Sequence, residues 1–102
     1  MIVETPTPSW TVYAHIAPNG KMYVGITSQE PQKRWGSGHG YRKNERLWNA
    51  IQKYRWENFR HEIIASGLTQ EEAGNMERLL IEKFNLMDPN NGYNMSIGGE
   101  GA

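Results

Sequence analysis

The chain has 102 residues, with 11 basic side chains balanced by 11 acidic ones, which is enough for one domain around one modest core. It has no cysteine, which excludes disulfides and thiol nucleophiles. Asp88 is its single aspartate, which excludes an aspartate cluster binding two metals. His15, His39 and His61 have no zinc-motif spacing. No run is apolar enough for a signal peptide or a membrane span, so a soluble cytoplasmic protein with no membrane partner is expected.

Residues 1–9 carry two prolines and little apolar content and read as a flexible lead-in. Residues 10–27, WTVYAHIAPNGKMYVGIT, then alternate apolar and polar side chains on either side of Pro18-Asn19-Gly20. That pattern predicts a β-hairpin. Parity decides the turn. A two-residue loop would pair Tyr13 with Ile26 and mix the faces. A three-residue loop with Gly20 left-handed pairs Ala17 with Lys21, Tyr13 with Gly25 and His15 with Tyr23. Tyr13 then faces a glycine, which leaves a hole beside a phenol.

Ser28 to Trp35 reads as a short helix with Pro31 at its first position and Arg34 on it. The segment GSGHGY ends this helix; it reads as a connector or, less specifically, as a backbone cradle for a phosphate. Asn44 is placed to cap a second helix running to about Tyr54, with Leu47, Trp48, Ile51 and Tyr54 as its apolar stripe. Residues 56–65, WENFRHEIIA, alternate as a third strand, with Phe59, His61 and Ile63 on one face. Thr69 and Glu72 form a capping box for the last helix, whose stripe reads Ala73, Met76, Leu80 and Phe84. Glu77 falls within that stripe. A carboxylate on a core-facing stripe requires a partner, either a base such as Arg34 or a metal ion. The predicted fold is α/β (α+β): a small three-stranded antiparallel sheet flanked by about three helices, in the order ββααβα.

The zero net charge conceals a basic middle. Lys33, Arg34, Arg42, Lys43, Arg46, Lys53, Arg55 and Arg60 are interrupted only by Glu45 and Glu57, and aromatic residues are interleaved among them. The pattern is compatible with a nucleic-acid face or with a solvated helical surface over core aromatics.

Val12-Tyr13, followed ten residues later by Tyr23-Val24-Gly25, resembles the paired motif of the GIY-YIG nuclease superfamily, in its phage and intron homing-endonuclease branch. RWGSGHGY, LWNAIQKY, WENFRHEII, Glu77 in NMERLLIEKF and Asn94 in NGYN follow in that branch's order. The resemblance runs from about Trp10 to Gly99, so residues 10–99 are read as one nuclease-like domain and 100–102 as a tail. It implies hydrolysis of DNA phosphodiesters with one Mg²⁺ (or Mn²⁺) per active site. It also implies a set of roles. Tyr13 would be the general base or water-orienting phenol, and Tyr23 would contact the scissile phosphate or its water. Arg34 would stabilise transition-state charge, Glu77 would hold the metal, and Asn94 would fix local structure or contact the phosphate. Lys21, near Tyr23, is a secondary candidate.

The sequence departs from the branch at three places. The first motif reads Thr11-Val12-Tyr13, without the glycine and isoleucine. The position one turn after Arg34, where many members carry a His or Tyr, is Gly38; His39 and Tyr41 are close, and Tyr41 is preferred. Arg55 stands where the branch usually has a helix-ending glycine. The hydroxyls of Tyr13 and Tyr23, the Arg34 guanidinium and the Glu77 carboxylate are expected to converge on one face of the sheet. DNA is the expected partner of a chain that is a monomer on this reading. The other readings are a structure-specific repair nuclease and a DNA-binding module on the same fold without cleavage.

Overall fold

The computed structural model describes residues 9–98. The lead-in read at 1–9, apart from Ser9, and the tail at 100–102 lie outside the described residues. The elements are β1 (Trp10–Ile16), β2 (Met22–Thr27), α1 (Pro31–Trp35), α2 (Glu45–Tyr54), β3 (Arg60–Leu68) and α3 (Gln70–Lys83). Single 3-10 turns at His39–Tyr41 and Trp56–Asn58 flank α2. The sheet is antiparallel with β1 in the centre, in the order β2-β1-β3. The predicted order ββααβα holds. Among the described residues no helix is long and apolar enough to cross a membrane.

The hairpin has the register that parity required. Tyr13 pairs with Gly25 and His15 with Tyr23. The Ala17 N–H donates to the Lys21 carbonyl at 2.9 Å, and Gly20 closes the loop with φ 87°. An L-residue with a Cβ resists that φ, which is why the loop ends on glycine.

With the register fixed, the two faces of the sheet fill differently. Val12, Ala14, Val24 and Ile26 pack with Ala73, Ile81 and Leu86, so α3 covers that face. Tyr13 faces the other way and packs with Trp35, Tyr41, Leu47, Ile51 and Phe59, which come from α1, α2 and the two turns. Leu47 is fully buried there, a placement that contributes roughly 1.5–3 kcal/mol. Asn44 caps α2 by accepting from the Leu47 N–H, while its amide nitrogen donates to the Tyr93 carbonyl. One side chain therefore starts the helix and ties it to the segment after α3.

That segment closes the free edge of β2. Met22 bridges Gly92 in parallel fashion, and the Tyr93 N–H donates to the Met22 carbonyl. The Asn94 side chain then takes both backbone groups of Val24, accepting from its N–H at 3.0 Å and donating to its carbonyl at 2.8 Å. A side-chain amide here completes a strand edge that would otherwise carry unpaired polar groups.

Two expectations are corrected. The third strand begins at Arg60 and runs to Leu68; residues 56–58 form a 3-10 turn. The cause is Arg55, whose φ of 71° and ψ of 142° break the chain direction at the end of α2. The stripe of α3 is also rotated from the one read in the sequence. Phe84 is exposed, Met76 and Leu80 are only half-buried, and the buried line is Ala73, Glu77 and Ile81. Residues spaced by four lie one above another on a helix, so Glu77 sits at the centre of the inward line.

Arg55 is at positive φ but outside the left-handed helical region, in backbone space that is close to glycine-only and costs of order 1–3 kcal/mol for other residues. Glycine's greater unfolded-state entropy offsets about 0.5–1 kcal/mol of any relief. Arg55→Gly is expected to stabilise the fold by about 1 kcal/mol and raise the thermal midpoint by roughly 5 °C. A thermal melt showing an unchanged or lower midpoint would exclude strain at this position.

Candidate active site

The hole opposite Tyr13 is real and is filled by the tyrosine itself. A Cβ added at Gly25 would lie 2.7 Å from the Tyr13 hydroxyl oxygen and 3.0 Å from a ring carbon of Tyr23. The phenol therefore leans across the glycine towards Tyr23, and the two ring centroids are 6.5 Å apart. The turn at His39–Tyr41 delivers a third phenol. The Tyr41 and Tyr13 hydroxyls are 3.1 Å apart, and the Tyr23 and Tyr41 rings meet edge to face at 5.3 Å.

Arg34, from α1, closes the cluster. Its guanidinium carbon is 4.6 Å from the Tyr41 ring centroid, and Nη1 donates to the Gly40 carbonyl at 3.2 Å. The cation–π contact and the carbonyl hold a half-buried cation over the tyrosines. Burial raises the ionisation of Tyr13, Tyr23 and Tyr41 above the ordinary phenol value, while Arg34 pulls each of them back. All three are neutral phenols near pH 7.

Glu77 is 7 % exposed, and its charge bears on the ionisation of both Tyr13 and Tyr23. It is carried on α3. Ala73 and Ile81, one turn to either side of it, pack on the Val12 face. Of the four groups expected to converge, Tyr13, Tyr23 and Arg34 gather with Tyr41. Glu77 reaches the same phenols electrostatically from α3. The chain passes close over it: a Cβ added at Gly98, whose φ is 92°, would lie 2.9 Å from the Glu77 carboxyl carbon and from Oε1.

The remaining sequence candidates divide clearly. Tyr41, not His39, joins the cluster. His39 is exposed, lies 6.2 Å from the Trp48 ring and lines an open basic concavity of about 460 Å³ with Arg34, Arg42 and Lys43. A second concavity, of about 350 Å³, shares Arg34 and Lys43 and reaches Tyr23 and Tyr41. Asn94 is buried, and its amide is bonded to Val24, beside Tyr23. It positions β2 and, among the described residues, makes no hydrogen bond to the cluster's hydroxyls. Lys21 stands at the hairpin turn, its N–H held by Asn19, and among the described residues makes no hydrogen bond to the cluster. Of the other basic side chains, Arg46 is committed to the carbonyls of Met87 and Asn94, and Arg60 to Glu62.

The sequence gives His15 no role beyond its place opposite Tyr23 and places His61 only on one face of the third strand. The structure buries His15 completely, with Nε2 2.7 Å from the Tyr41 hydroxyl and Nδ1 2.9 Å from His61 Nδ1. The signal was present in the alternation, which puts His15 on the same face as Tyr13.

The paired tyrosines, the helix-borne arginine and the buried glutamate fit one family pattern, and direct comparison supports it. The GIY-YIG catalytic domain family matches residues 9–94. The chain belongs to the GIY-YIG family. It is also 38 % identical over 85 residues to the "Putative endonuclease segD" of Enterobacteria phage T4. That match covers 81 % of this chain and 35 % of the phage protein, so the chain spans about a third of its relative's length. No solved structure matches the chain.

Within this GIY-YIG domain, Gly25 tests the geometry directly. In Gly25→Ala the added methyl must displace the Tyr13 phenol or bend β2, and overpacking of this kind costs typically 1–3 kcal/mol. We expect a lower thermal midpoint together with an altered near-UV tyrosine circular dichroism band. A wild-type melt with an unchanged near-UV spectrum would contradict the close approach.

Proposed function

We propose that this domain is a metal-dependent DNA endonuclease of the homing-endonuclease type, hydrolysing phosphodiester bonds. The observation that carries the reading is the cluster of Tyr13, Tyr23, Tyr41 and Arg34, of which Tyr23, Tyr41 and Arg34 line an open concavity with Lys43 while Arg42 lines the adjoining one. A phosphodiester is an anion whose hydrolysis adds negative charge to the phosphorus oxygens. Arg34, fixed by Tyr41 and the Gly40 carbonyl, offers charge-assisted hydrogen bonds to that charge without having to reorganise. Arg42 and Lys43 are placed to take flanking phosphates, and contacts of this kind make binding weaken with added salt.

The phenols divide the remaining work. Tyr23 orients the scissile phosphate or the attacking water. Tyr13 receives the water's proton as the new phosphorus–oxygen bond forms and the bond to the 3′ oxygen breaks.

Among the described residues there is no group of three or more His, Cys, Asp or Glu side chains that could cage a metal ion. One buried carboxylate, Glu77, nevertheless suits Mg²⁺, which keeps most of its water and takes one or two carboxylates together with substrate phosphate oxygens. When bound, the ion would polarise a phosphate oxygen and stabilise the leaving oxygen. Asn94 holds β2, and with it Tyr23, in place for this arrangement.

The test of the reading is incubation of supercoiled plasmid with the protein, with and without Mg²⁺. Nicked or linear product that depends on Mg²⁺ and disappears with EDTA supports the reading. Salt-sensitive DNA binding with no cleavage would instead establish a binding module on this fold.

Two substitutions sharpen the test. Tyr13→Phe keeps the strand and most of the packing but removes the hydroxyl. Single-turnover nicking should fall by roughly 10²–10⁴-fold, with stability lowered by about 1 kcal/mol for the lost buried hydrogen bond. Near-normal cleavage would remove Tyr13 from the proton transfer.

Glu77→Gln keeps the side-chain volume and removes the charge that attracts a hard cation. Nicking should be lost even at millimolar Mg²⁺, while DNA binding persists and the melt changes little. A large drop in stability, with activity lost in proportion, would overturn the metal role and make Glu77 a structural ion-pair partner.

A further inference from the structure

Tyr13 poses a chemical problem for any mechanism that uses it as a base. A neutral phenol can accept a proton from water only if its own proton has somewhere to go. Burial makes the tyrosinate still less accessible, and Arg34 offsets this only in part.

The structure supplies a path. The Tyr13 hydroxyl lies 3.1 Å from that of Tyr41, which lies 2.7 Å from His15 Nε2. His15 Nδ1 is 2.9 Å from His61 Nδ1, and His61 Nε2 is 3.1 Å from the Trp56 carbonyl. These contacts form one unbroken chain from β1, through the turn before α2, to β3.

Its polarity follows from one end. A carbonyl only accepts, so the proton of neutral His61 is on Nε2, and Nδ1 carries the lone pair. His15 Nδ1 must then donate to it, which leaves His15 Nε2 as an acceptor. The Tyr41 hydroxyl, placed to donate to Tyr13, has one proton and on this assignment turns it to His15 Nε2, after which Tyr13 donates to Tyr41. The reverse assignment would set two ring lone pairs against each other at 2.9 Å. Both rings are neutral near pH 7. Burial, the neighbouring His61 and Arg34 take His15 down to about 2, and burial lowers His61 despite the Trp56 carbonyl.

We propose that His15 and His61 are positioning residues of a proton relay that lets Tyr13 act as general base. As water attacks phosphorus, its proton passes to the Tyr13 oxygen. The Tyr13 proton moves to Tyr41, the Tyr41 proton to His15 Nε2, and the His15 Nδ1 proton to His61 Nδ1. The net result is hydroxide added to phosphorus and an imidazolium at His61. The departing 3′ oxygen takes its proton from solvent.

The far end is suited to release. His61 is half-buried and lines an open cavity of about 380 Å³ with Trp35, Trp56 and Glu30. The groups facing it are His15 from β1 and the Trp56 carbonyl from the second turn, and Glu30 lines the same cavity. Its strand neighbours Arg60 and Glu62 pair with each other at 2.8 Å.

The proposal rests on the nuclease reading, and its test separates the two. Nitrogen-15 NMR of the intact chain near neutral pH, without DNA or metal, reads the tautomers directly. We expect the Nδ1–H form at His15 and the Nε2–H form at His61. An Nε2–H form at His15 would overturn the relay whatever the protein cleaves.

If the wild-type chain does not nick plasmid, the nuclease reading fails while the tautomers still report on the chain of hydrogen bonds. If it does nick, His61→Ala should cut roughly 10²-fold more slowly and fold normally by thermal melt. Imidazole entering the open cavity should restore much of the rate. The wild-type rate should fall as pH drops through the His61 ionisation, below the ordinary 6.5, because imidazolium cannot accept the proton. His61→Ala should lose that acid limb. His15→Gln, cut in the buried middle, should be slow and insensitive to imidazole. An unchanged rate and pH profile in His61→Ala would overturn the proposal, as would a loss that tracks melting and resists imidazole.

Discussion

Tyr13 stands on the central strand with its hydroxyl over Gly25, and burying a phenolic oxygen without a hydrogen bond costs several kcal/mol. Much of the architecture answers to that oxygen. Gly25 must lack a side chain so that the ring can lean over it. The loop after α1 must turn back to bring Tyr41 within 3.1 Å. Tyr41 in turn is held by Arg34 on its ring and by His15 at its hydroxyl. His15 is fully buried, so it too requires partners at both nitrogens, and the second partner comes from β3. A single buried hydroxyl thus ties together three strands, α1 and the connector, each link satisfied by the next.

This dependence explains what could be read in the sequence and what could not. The hairpin was legible because strand parity admits only one loop length that keeps Val12, Ala14, Val24 and Ile26 together. The two later helices were legible through their caps, Asn44 and the Thr69–Glu72 box, whose hydrogen bonds are all local. Tyr13, Tyr23 and Arg34 could be placed by motif spacing, and Tyr41 over His39 only as a preference. The tilt of α3 was not legible. Its inward line is set by packing on the sheet, and the small residues Ala73 and Gly74 let that face approach where Met76 and Leu80 seemed the stronger signal. The third strand was placed too early because the positive φ at Arg55 is invisible in an alternating pattern. The His15–His61 contact joins residues 46 apart, a separation that no local period encodes.

Glu77 shows a different limit. Its position on a buried stripe was visible, but the rotation of α3 that makes it the centre of the inward line was not. Approaching on the helix of the Val12 face, it raises the ionisation of both Tyr13 and Tyr23. Arg34, on the tyrosine face, opposes it. The phenols therefore answer to a cation from α1 and an anion from α3. The effect of either charge on them depends on how the layers are stacked, and the packing of Ala73 and Ile81 on β1 and β2 fixes that stacking.

The edge of β2 completes the argument. Tyr23 and Gly25 lie on an outer strand, where register is least protected and a slip by one residue would turn every side chain to the other face. Asn94 bonds both backbone groups of Val24, the residue between them. Arg46 in turn holds the Asn94 and Met87 carbonyls from α2. The outer strand is thereby clamped at its centre by a buried amide that is itself anchored to the helix behind the tyrosines. A phenol that must keep its hydroxyl within hydrogen-bond reach of its neighbours needs a strand that cannot slide. The polar residues most deeply committed to backbone contacts, Asn44, Arg46 and Asn94, supply that rigidity, and Asn44 passes it directly to the cluster by donating its N–H to the Tyr41 carbonyl.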